Sequence, residues 1–311
     1  MAALNNLDLR LLKAFVAIIE CAGFQRAQSR LGVSASTVST YMSTLESRLG
    51  VRLCQRGRVG FRLTEKGEAV AAATRRLLAA VDTFELEVGE ARGPLIGRLR
   101  LGLIDNIVTN RQAPLQEVIG RFIARAPQVE MHVEIAEPHL LERGLLDGRL
   151  HVAIGPSGKG VAGLREQPLF SERHRLYCGQ AHALFERCPN RVRREDLVDQ
   201  RFVARTYSRG ADARRVGISR ASAFVANVEA QIILILSGAY IGYLPEHYAA
   251  PFVDDGSLRR IDIPRTAFGS LFSLVVRRGT TLPGVVQAFR DEITAMFPPP
   301  GRREHSGNLQ S

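Results

Sequence analysis

FQRAQSRLGVSASTVSTYMS, residues Phe24–Ser43, reads as two short helices joined by a tight turn. Phe24, Ala27 and Leu31 fall at helical spacing, so a first helix over 24–31 has one buried face. Gly32 closes it, because glycine accepts the left-handed conformation at a helix end. Val33 then turns into the core, and Ser34 is placed to cap the next helix. That helix spans 35–49, with Val38, Met42, Leu45 and Leu49 inward. Ala35, Ser36, Thr37, Ser39, Thr40 and Tyr41 lie at or around its exposed first turns. This set is short, polar and mostly uncharged. It suits a helix in a DNA major groove, where hydroxyls reach base edges or phosphates and methyl groups touch thymine. A solvated helix hairpin is the plain alternative, and the helix pair alone does not exclude it.

The flanks decide between the two. VRLCQRGRVGFRLTEKG, residues 51–67, places apolar-alternating runs around Arg52–Cys54 and Phe61–Leu63 on either side of a Gly-containing, arginine-rich connection, the pattern of a wing. Arg56, Arg58 and Arg62 are positioned for backbone phosphates beside the groove, and residues 1–64 carry nine Lys/Arg against three Asp/Glu. With LDLRLLKAFVAIIE at 7–20, GFQRAQSRLGVSASTVS at 23–39, LESRLGVRLCQRG at 45–57 and LTEKG at 63–67, the chain from Leu7 to Gly67 resembles the N-terminal domain of the LysR-type transcriptional regulators. Many members of that family have Gln-Pro or Gln-Ser after the serine corresponding to Ser34. Here Ala35 and Ser36 follow, so the resemblance carries the docking mode and not a base preference through that glutamine.

The whole chain, 311 residues with 45% hydrophobic content, is long enough for two or three packed units. Its formal net charge of +11 and pI near 10.2 point to an anionic partner, with nucleic acid first. Arginine recurs along the whole length while lysine occurs only at Lys13, Lys66 and Lys159, so part of this charge is a general surface habit. The N-terminus has no basic run ahead of an apolar core, and the longest aliphatic run, Ile232–Leu236, is far too short for a bilayer. The expected location is therefore the cytoplasm, associated with the nucleoid and without a membrane partner. Cys21, Cys54, Cys178 and Cys188 form no Cys-x-x-Cys pair, which excludes a disulfide framework and zinc-ligand spacing and makes them core or incidental thiols. Some LysR-type regulators sense peroxide through a cysteine pair, but Cys178 and Cys188 do not sit at the corresponding place.

Residues 8–21 form a first supporting helix, with Asp8 as its cap and Leu11, Leu12, Phe15, Val16 and Ile19 inward. Together, 7–64 make a winged helix-turn-helix domain. Thr64 caps a long helix over 65–91. Val70, Leu77 and Phe84 recur every seven residues, as do Thr74, Val81 and Val88, which is the seam of a two-helix coiled coil. Residues 65–92 are thus expected to pair subunits into a homodimer or homotetramer. An amphipathic helix packed on its own domain is the competing reading.

Arg92-Gly93-Pro94 breaks that helix, and beyond it strands and helices alternate as in a parallel α/β sheet. Strands are expected at Arg98–Ile104, Val129–Ala136 and His151–Gly155, with helices at Pro114–Ala126 and Pro138–Leu146. A second lobe, about 168–267, holds strands Arg173–Cys178, Arg201–Arg205 and Tyr240–Tyr243 and helices near 193–198 and 227–237. Strand Leu271–Arg277 and a helix over 283–296 return to the first lobe, about 93–167 and 268–297. The tail 298–311 is expected to be disordered. The order of elements, with GRLRLGLIDN at 97–106 and SGAYIGYLPEH at 237–247, is similar to the two-lobed effector-binding domain of the same family, which resembles periplasmic binding proteins.

Ligands of open α/β sheets bind beyond the carboxyl ends of strands. The candidates are Asp105, Asn106, Ile107 and Thr109 after the first strand, and Arg205, Thr206, Tyr207 and Ser208 after a strand of the second lobe. Tyr243 borders the same cleft by the family resemblance. A small polar metabolite with a carboxylate for Arg205 and an amino or hydroxyl group for Asp105 fits this set. The plain alternative is that Asp105 and Arg205 pair with each other or cap helices.

Enzyme readings fail on spacing. GPSGKG at 155–160 lacks the earlier glycine of a phosphate loop and a Ser/Thr after Lys159. His132, His151, His174 and His182 show no ligand pattern, and no Gly-x-Ser-x-Gly elbow occurs. No cofactor or metal is expected beyond a small-molecule co-inducer. The reading is of an effector-responsive transcription factor that binds an interrupted palindrome in promoter DNA, with RNA polymerase as a further candidate partner. A bilobal small-molecule-binding protein without a regulatory DNA site is the competing class.

Overall fold

The computed structural model describes residues 6–55, 61–90, 95–156, 160–187, 189, 191–279 and 282–297. The chain forms two compact units that divide between Val88 and Gly89.

The first unit opens with helix α1, Asn6–Glu20, followed by α2, Phe24–Leu31, and α3, Ala35–Leu49. Helix α1 already begins at Asn6, so Asp8 lies inside it and is not its cap. Leu11, Leu12, Phe15, Ile18, Ala27, Val38, Met42 and Leu45 share one core. Ile18 is fully buried where the sequence pattern favoured Ile19, and Leu49 is exposed because it closes the last turn of α3 beyond the core. Gly32 adopts φ 63° and ends α2, and Ser34 caps α3 by accepting the Thr37 N–H at 3.2 Å.

Strands β1, Cys54–Gln55, and β2, Arg62–Leu63, pair antiparallel as a short wing. Glu46 of α3 accepts the backbone N–H groups of Leu53 (2.7 Å) and Cys54 (3.3 Å), which ties the wing to that helix. Helix α4, Glu65–Glu90, starts where Thr64 Oγ1 accepts the Gly67 N–H at 2.9 Å and donates to the Arg52 carbonyl at 2.8 Å. A Cβ at Gly67 would stand 1.9 Å from the Leu53 carbonyl oxygen. The LTEKG sequence is thus a cap followed by a close backbone crossing that only glycine fits.

The second unit contains β3 (Ile96–Leu103), α5 (Leu115–Arg125), β4 (Gln128–Ile135), α6 (Pro138–Leu146), β5 (Val152–Pro156) and β6 (Leu164–Gly179). It continues with β7 (Phe202–Arg205), α7 (Ala211–Arg215), β8 (Ala223–Val225), α8 (Val228–Leu236) and β9 (Ile241–Pro245). Then come α9 (Glu246–Asp254), β10 (Leu258–Ile261), β11 (Phe268–Arg277) and α10 (Gly284–Met296). One nine-stranded sheet runs β4-β3-β5-β11-β6-β9-β7-β8, with β10 added on β6. It is mixed, not parallel throughout. Strands β3, β4 and β5 are parallel, as are β7, β8 and β9, while β6 and β11 run antiparallel to each other through the middle.

The reason is that β6 is one strand of 16 residues where the sequence reading shows only Arg173–Cys178, because Pro168 interrupts the pattern without interrupting the strand. Strands β6 and β11 are the two crossings between lobes, with a register shift at Phe272/Ser273. In the second lobe β7 alternates: Phe202 and Ala204 enter one core cluster, and Val203 enters the cluster on the other face with Ile232, Ile235 and Leu244. The segment near 193–198 is a single 3-10 turn, Arg194–Leu197, and helix α9 contains Pro251, which hid it from the sequence pattern. Residues 157–159 and the tail 298–311 lie outside the described residues.

Candidate functional site

In the first unit the residues Ser34, Ala35, Ser36 and Thr40 are exposed, with Thr37, Ser39 and Tyr41 half-exposed beside them. Three of the hydroxyls are joined, Ser34 Oγ lying 2.8 Å from both Ser36 Oγ and Thr37 Oγ1, and Thr40 Oγ1 donates to the Ser36 carbonyl at 2.9 Å. Thr40 therefore offers outward an acceptor and a methyl group, while the Ser34–Ser36–Thr37 cluster keeps both donor and acceptor capacity. Tyr41 is packed partly into the core, and the Arg10 guanidinium lies 5.6 Å from its ring centre. Arg10 carries no signal in the sequence, since it sits on the outer face of a supporting helix. Arg62 is exposed on the wing; Arg56 and Arg58 lie outside the described residues. On α4, Ala71 and Thr74 are buried, and Val70 and Leu77 pack against this unit's own core. Half of the heptad seam is thus used inside the chain, while Phe84 and Val88 are 63% and 39% exposed.

In the second unit the strand ends of the two lobes meet. Asp105, two residues beyond β3, accepts a hydrogen bond from Arg205 Nη2 at 2.6 Å, and its other oxygen accepts the N–H of Val228, the first residue of α8. The Arg205 side chain is 7% exposed and that of Asp105 15%. Tyr207 flanks the guanidinium at 5.2 Å, and burial raises its hydroxyl to about 12. Ser208 Oγ donates to the Arg205 carbonyl at 2.8 Å, and Thr206 is exposed. Near Ser208, Asp212 of α7 has its carboxyl pushed up by burial.

Asn106 adopts φ 63° and donates from Nδ2 to Glu172 at 3.3 Å. Glu172, on crossing strand β6 and 3% exposed, also accepts from His174 Nε2 at 2.9 Å and His247 Nε2 at 2.8 Å. Burial alone would raise its carboxyl; the two histidine hydrogen bonds outweigh that and hold it below the ordinary glutamate range. The other ring nitrogen of His247 lies 2.7 Å from Thr109 Oγ1. His174 stacks on Phe268 at 4.8 Å, and the Arg215 guanidinium lies 4.4 Å from the same ring. An open groove of about 790 Å³ reaches this cluster between Thr109–Gln112, Ser171–Arg173 and α9.

Two of the sequence candidates take packing positions. Ile107 is 5% exposed because it anchors the 3-10 turn Ile107–Thr109, and Tyr243 is 2% exposed, its hydroxyl donating to the Thr266 carbonyl at 2.8 Å between Phe202 and Phe268. Glu172, His174 and His247 were not legible as a group, since they lie on a strand and a helix 75 residues apart at most and show no ligand spacing. Among the described residues no group of His, Cys, Asp and Glu could hold a metal ion, and no helix is long and apolar enough to cross a membrane.

Comparison with known proteins bears on both units. The family model described as a bacterial regulatory helix-turn-helix protein of the lysR family matches residues 9–68, and the LysR substrate binding domain matches 92–298. The chain is 38% identical over 294 residues to the HTH-type transcriptional activator BauR of Pseudomonas aeruginosa, covering 94% of this chain and 96% of that protein. In fold it is similar to full-length OxyR C199D of Pseudomonas aeruginosa, with a TM-score of 0.64 and 21% identity over 96% of this chain and 98% of that one. It is also similar to full-length CbnR in complex with its target DNA, with a TM-score of 0.62 and 22% identity over 93% and 99%. The winged helix-turn-helix is a DNA-binding domain and the two-lobed unit an effector-binding domain: the chain belongs to the LysR family of bacterial transcriptional regulators.

Proposed function

We propose that this regulator binds an interrupted palindrome in promoter DNA as a homo-oligomer and shifts between two arrangements when a small polar metabolite enters the interlobe cleft. The DNA-contacting set is Ser34, Ala35, Ser36, Thr37, Ser39, Thr40 and Tyr41 of the recognition helix with Arg56, Arg58 and Arg62 of the wing. The subunits pair through the 65–92 helix, using Val81, Phe84 and Val88 beyond the part that packs inward through Val70 and Leu77. The effector contacts are Asp105, Asn106 and Thr109 from one lobe and Arg205, Thr206, Tyr207 and Ser208 from the other, with Ile107 and Tyr243 shaping the walls from behind. The protein works on the nucleoid in the cytoplasm, with RNA polymerase as its partner at the promoter, and performs no catalysis.

The observation that carries the DNA contacts is the joined cluster of Ser34, Ser36 and Thr37 hydroxyls, with exposed Thr40 one turn on, at the start of a helix that an arginine-bearing hairpin follows. Thr37→Asp and Thr40→Glu place a carboxylate where phosphates and base edges would approach. Each is expected to weaken binding to the footprinted promoter by about tenfold or more, in keeping with about 1–3 kcal/mol per specific contact. Circular dichroism should stay unchanged. Unaltered gel-shift affinity in both variants would remove this face from the interface.

A further inference from the structure

Asp105 occupies a site built for a carboxylate. On the second lobe, Arg205 projects from the end of β7 and Val228 opens α8, so a buried guanidinium and a free helix-terminal N–H converge on one point. The helix has its own cap: Asn227 Oδ1 accepts the Ala230 N–H at 2.8 Å. The Val228 N–H is therefore left over for an external acceptor. Asp105 comes to it from the other lobe, one oxygen on Arg205 Nη2 at 2.6 Å and the other on Val228.

The fit is incomplete. Arg205 is 6% exposed, and its Nε–H has no hydrogen-bond partner. A guanidinium offers Nε–H and Nη2–H as a parallel fork for the two oxygens of one carboxylate. Asp105 uses a single prong because its second oxygen is drawn away to Val228. A carboxylate not tethered to β3 can take both prongs and satisfy the buried Nε–H, which a short aspartate held from the facing lobe does not do.

We propose that Arg205 with the N-terminus of α8 is a receptor for a small carboxylate, and that Asp105 is a built-in surrogate which fills it until an effector carboxylate displaces it. This deepens, and rests on, the reading of the cleft as the effector site. Asp105 ties the lobes together in the unliganded protein. The effector replaces that tie with its own and frees Asp105 to face whatever else the ligand carries. A surrogate that holds the receptor nine-tenths of the time weakens the apparent affinity of a competing carboxylate about tenfold.

The test uses the full-length chain and acetate as the probe, with chloride at matched ionic strength as the control. Asp105→Ala vacates the receptor, so its melting temperature should rise with acetate and not with chloride, at concentrations about tenfold lower than any response of the unaltered protein. The double variant Asp105→Ala, Arg205→Ala should lose the response. If Asp105→Ala folds only in acetate, the receptor is likewise supported. Asp105→Asn, which keeps the shape and removes the charge, serves as the second variant and should show the same preference at lower amplitude. Equal behaviour of acetate and chloride in both single variants would overturn the proposal. That failure would leave DNA regulation untouched, because promoter footprinting with candidate metabolites reads the regulator independently of acetate.

Discussion

Glu172 shows how much one side chain holds in this molecule. It receives hydrogen bonds from Asn106, His174 and His247, which come from one lobe, a crossing strand and the helix of the other lobe. Its carboxyl is held below the ordinary value of 4.5 in the folded chain. The stabilisation it adds is therefore fully present above the unfolded glutamate value and disappears as pH falls through the lower folded one. Glu172→Gln is expected to cost about 2 kcal/mol at neutral pH, the scale of a lost hydrogen bond to a charged group. It should also flatten the fall of stability on acidification below the unfolded glutamate value; chemical denaturation at a series of pH values measures both, and an unchanged acid limb would place the acid sensitivity elsewhere. Sequence reading reached Asp105 and Arg205 by the rule of strand ends, yet missed Glu172. A buried carboxylate in mid-strand is indistinguishable from a solvated one until its partners, distant in sequence, are folded against it.

Among the elements, α4 is where pattern and packing part company. A heptad repeat states that one stripe of a helix is apolar; it does not state against what. Here Val70 and Leu77 meet the winged domain's own core, so Leu77→Glu would damage the fold itself and says nothing clean about assembly. Phe84 is 63% exposed and lies a turn or more beyond that core. Phe84→Glu is expected to yield monomers by light scattering with the melting of the winged domain unchanged, and an unaltered mass would move the oligomer interface off this helix. The bounds of the pair α2–α3 were legible because every signal was local: Gly32 in the left-handed region, Ser34 as cap, apolar spacing for all of the core but Leu49. Helix α9 was not, since Pro251 inside it contradicts the usual rule, and its packing against β10, β9 and β6 is tertiary. The length of β6 was hidden in the same way by Pro168.

At the scale of the whole molecule, a net charge of +11 spread over many arginines attracts DNA from every side, so total basicity cannot locate the interface. Salt dependence can. Replacing Arg56, Arg58 and Arg62 by alanine is expected to flatten the dependence of log affinity on log salt by about 0.9 for each phosphate that is no longer neutralised, on specific and nonspecific DNA alike; an identical slope would assign the phosphates to other arginines. The two-lobed architecture followed from the alternation of strands and helices, whereas its mixed sheet came from tertiary pairing that no local pattern encodes. That pairing has a further consequence. Because β6 and β11 run unbroken from lobe to lobe and are bonded to each other along that path, relative rotation of the lobes is confined to twisting one two-stranded ribbon, whose register already shifts at Phe272/Ser273. On the proposed reading of the cleft, ligand chemistry is written at the strand tips, while the mechanics reside in the ribbon. What the protein senses and how it answers are therefore separately heritable: a lineage can change its inducer by altering a few tip residues without having to reinvent the movement that reports it.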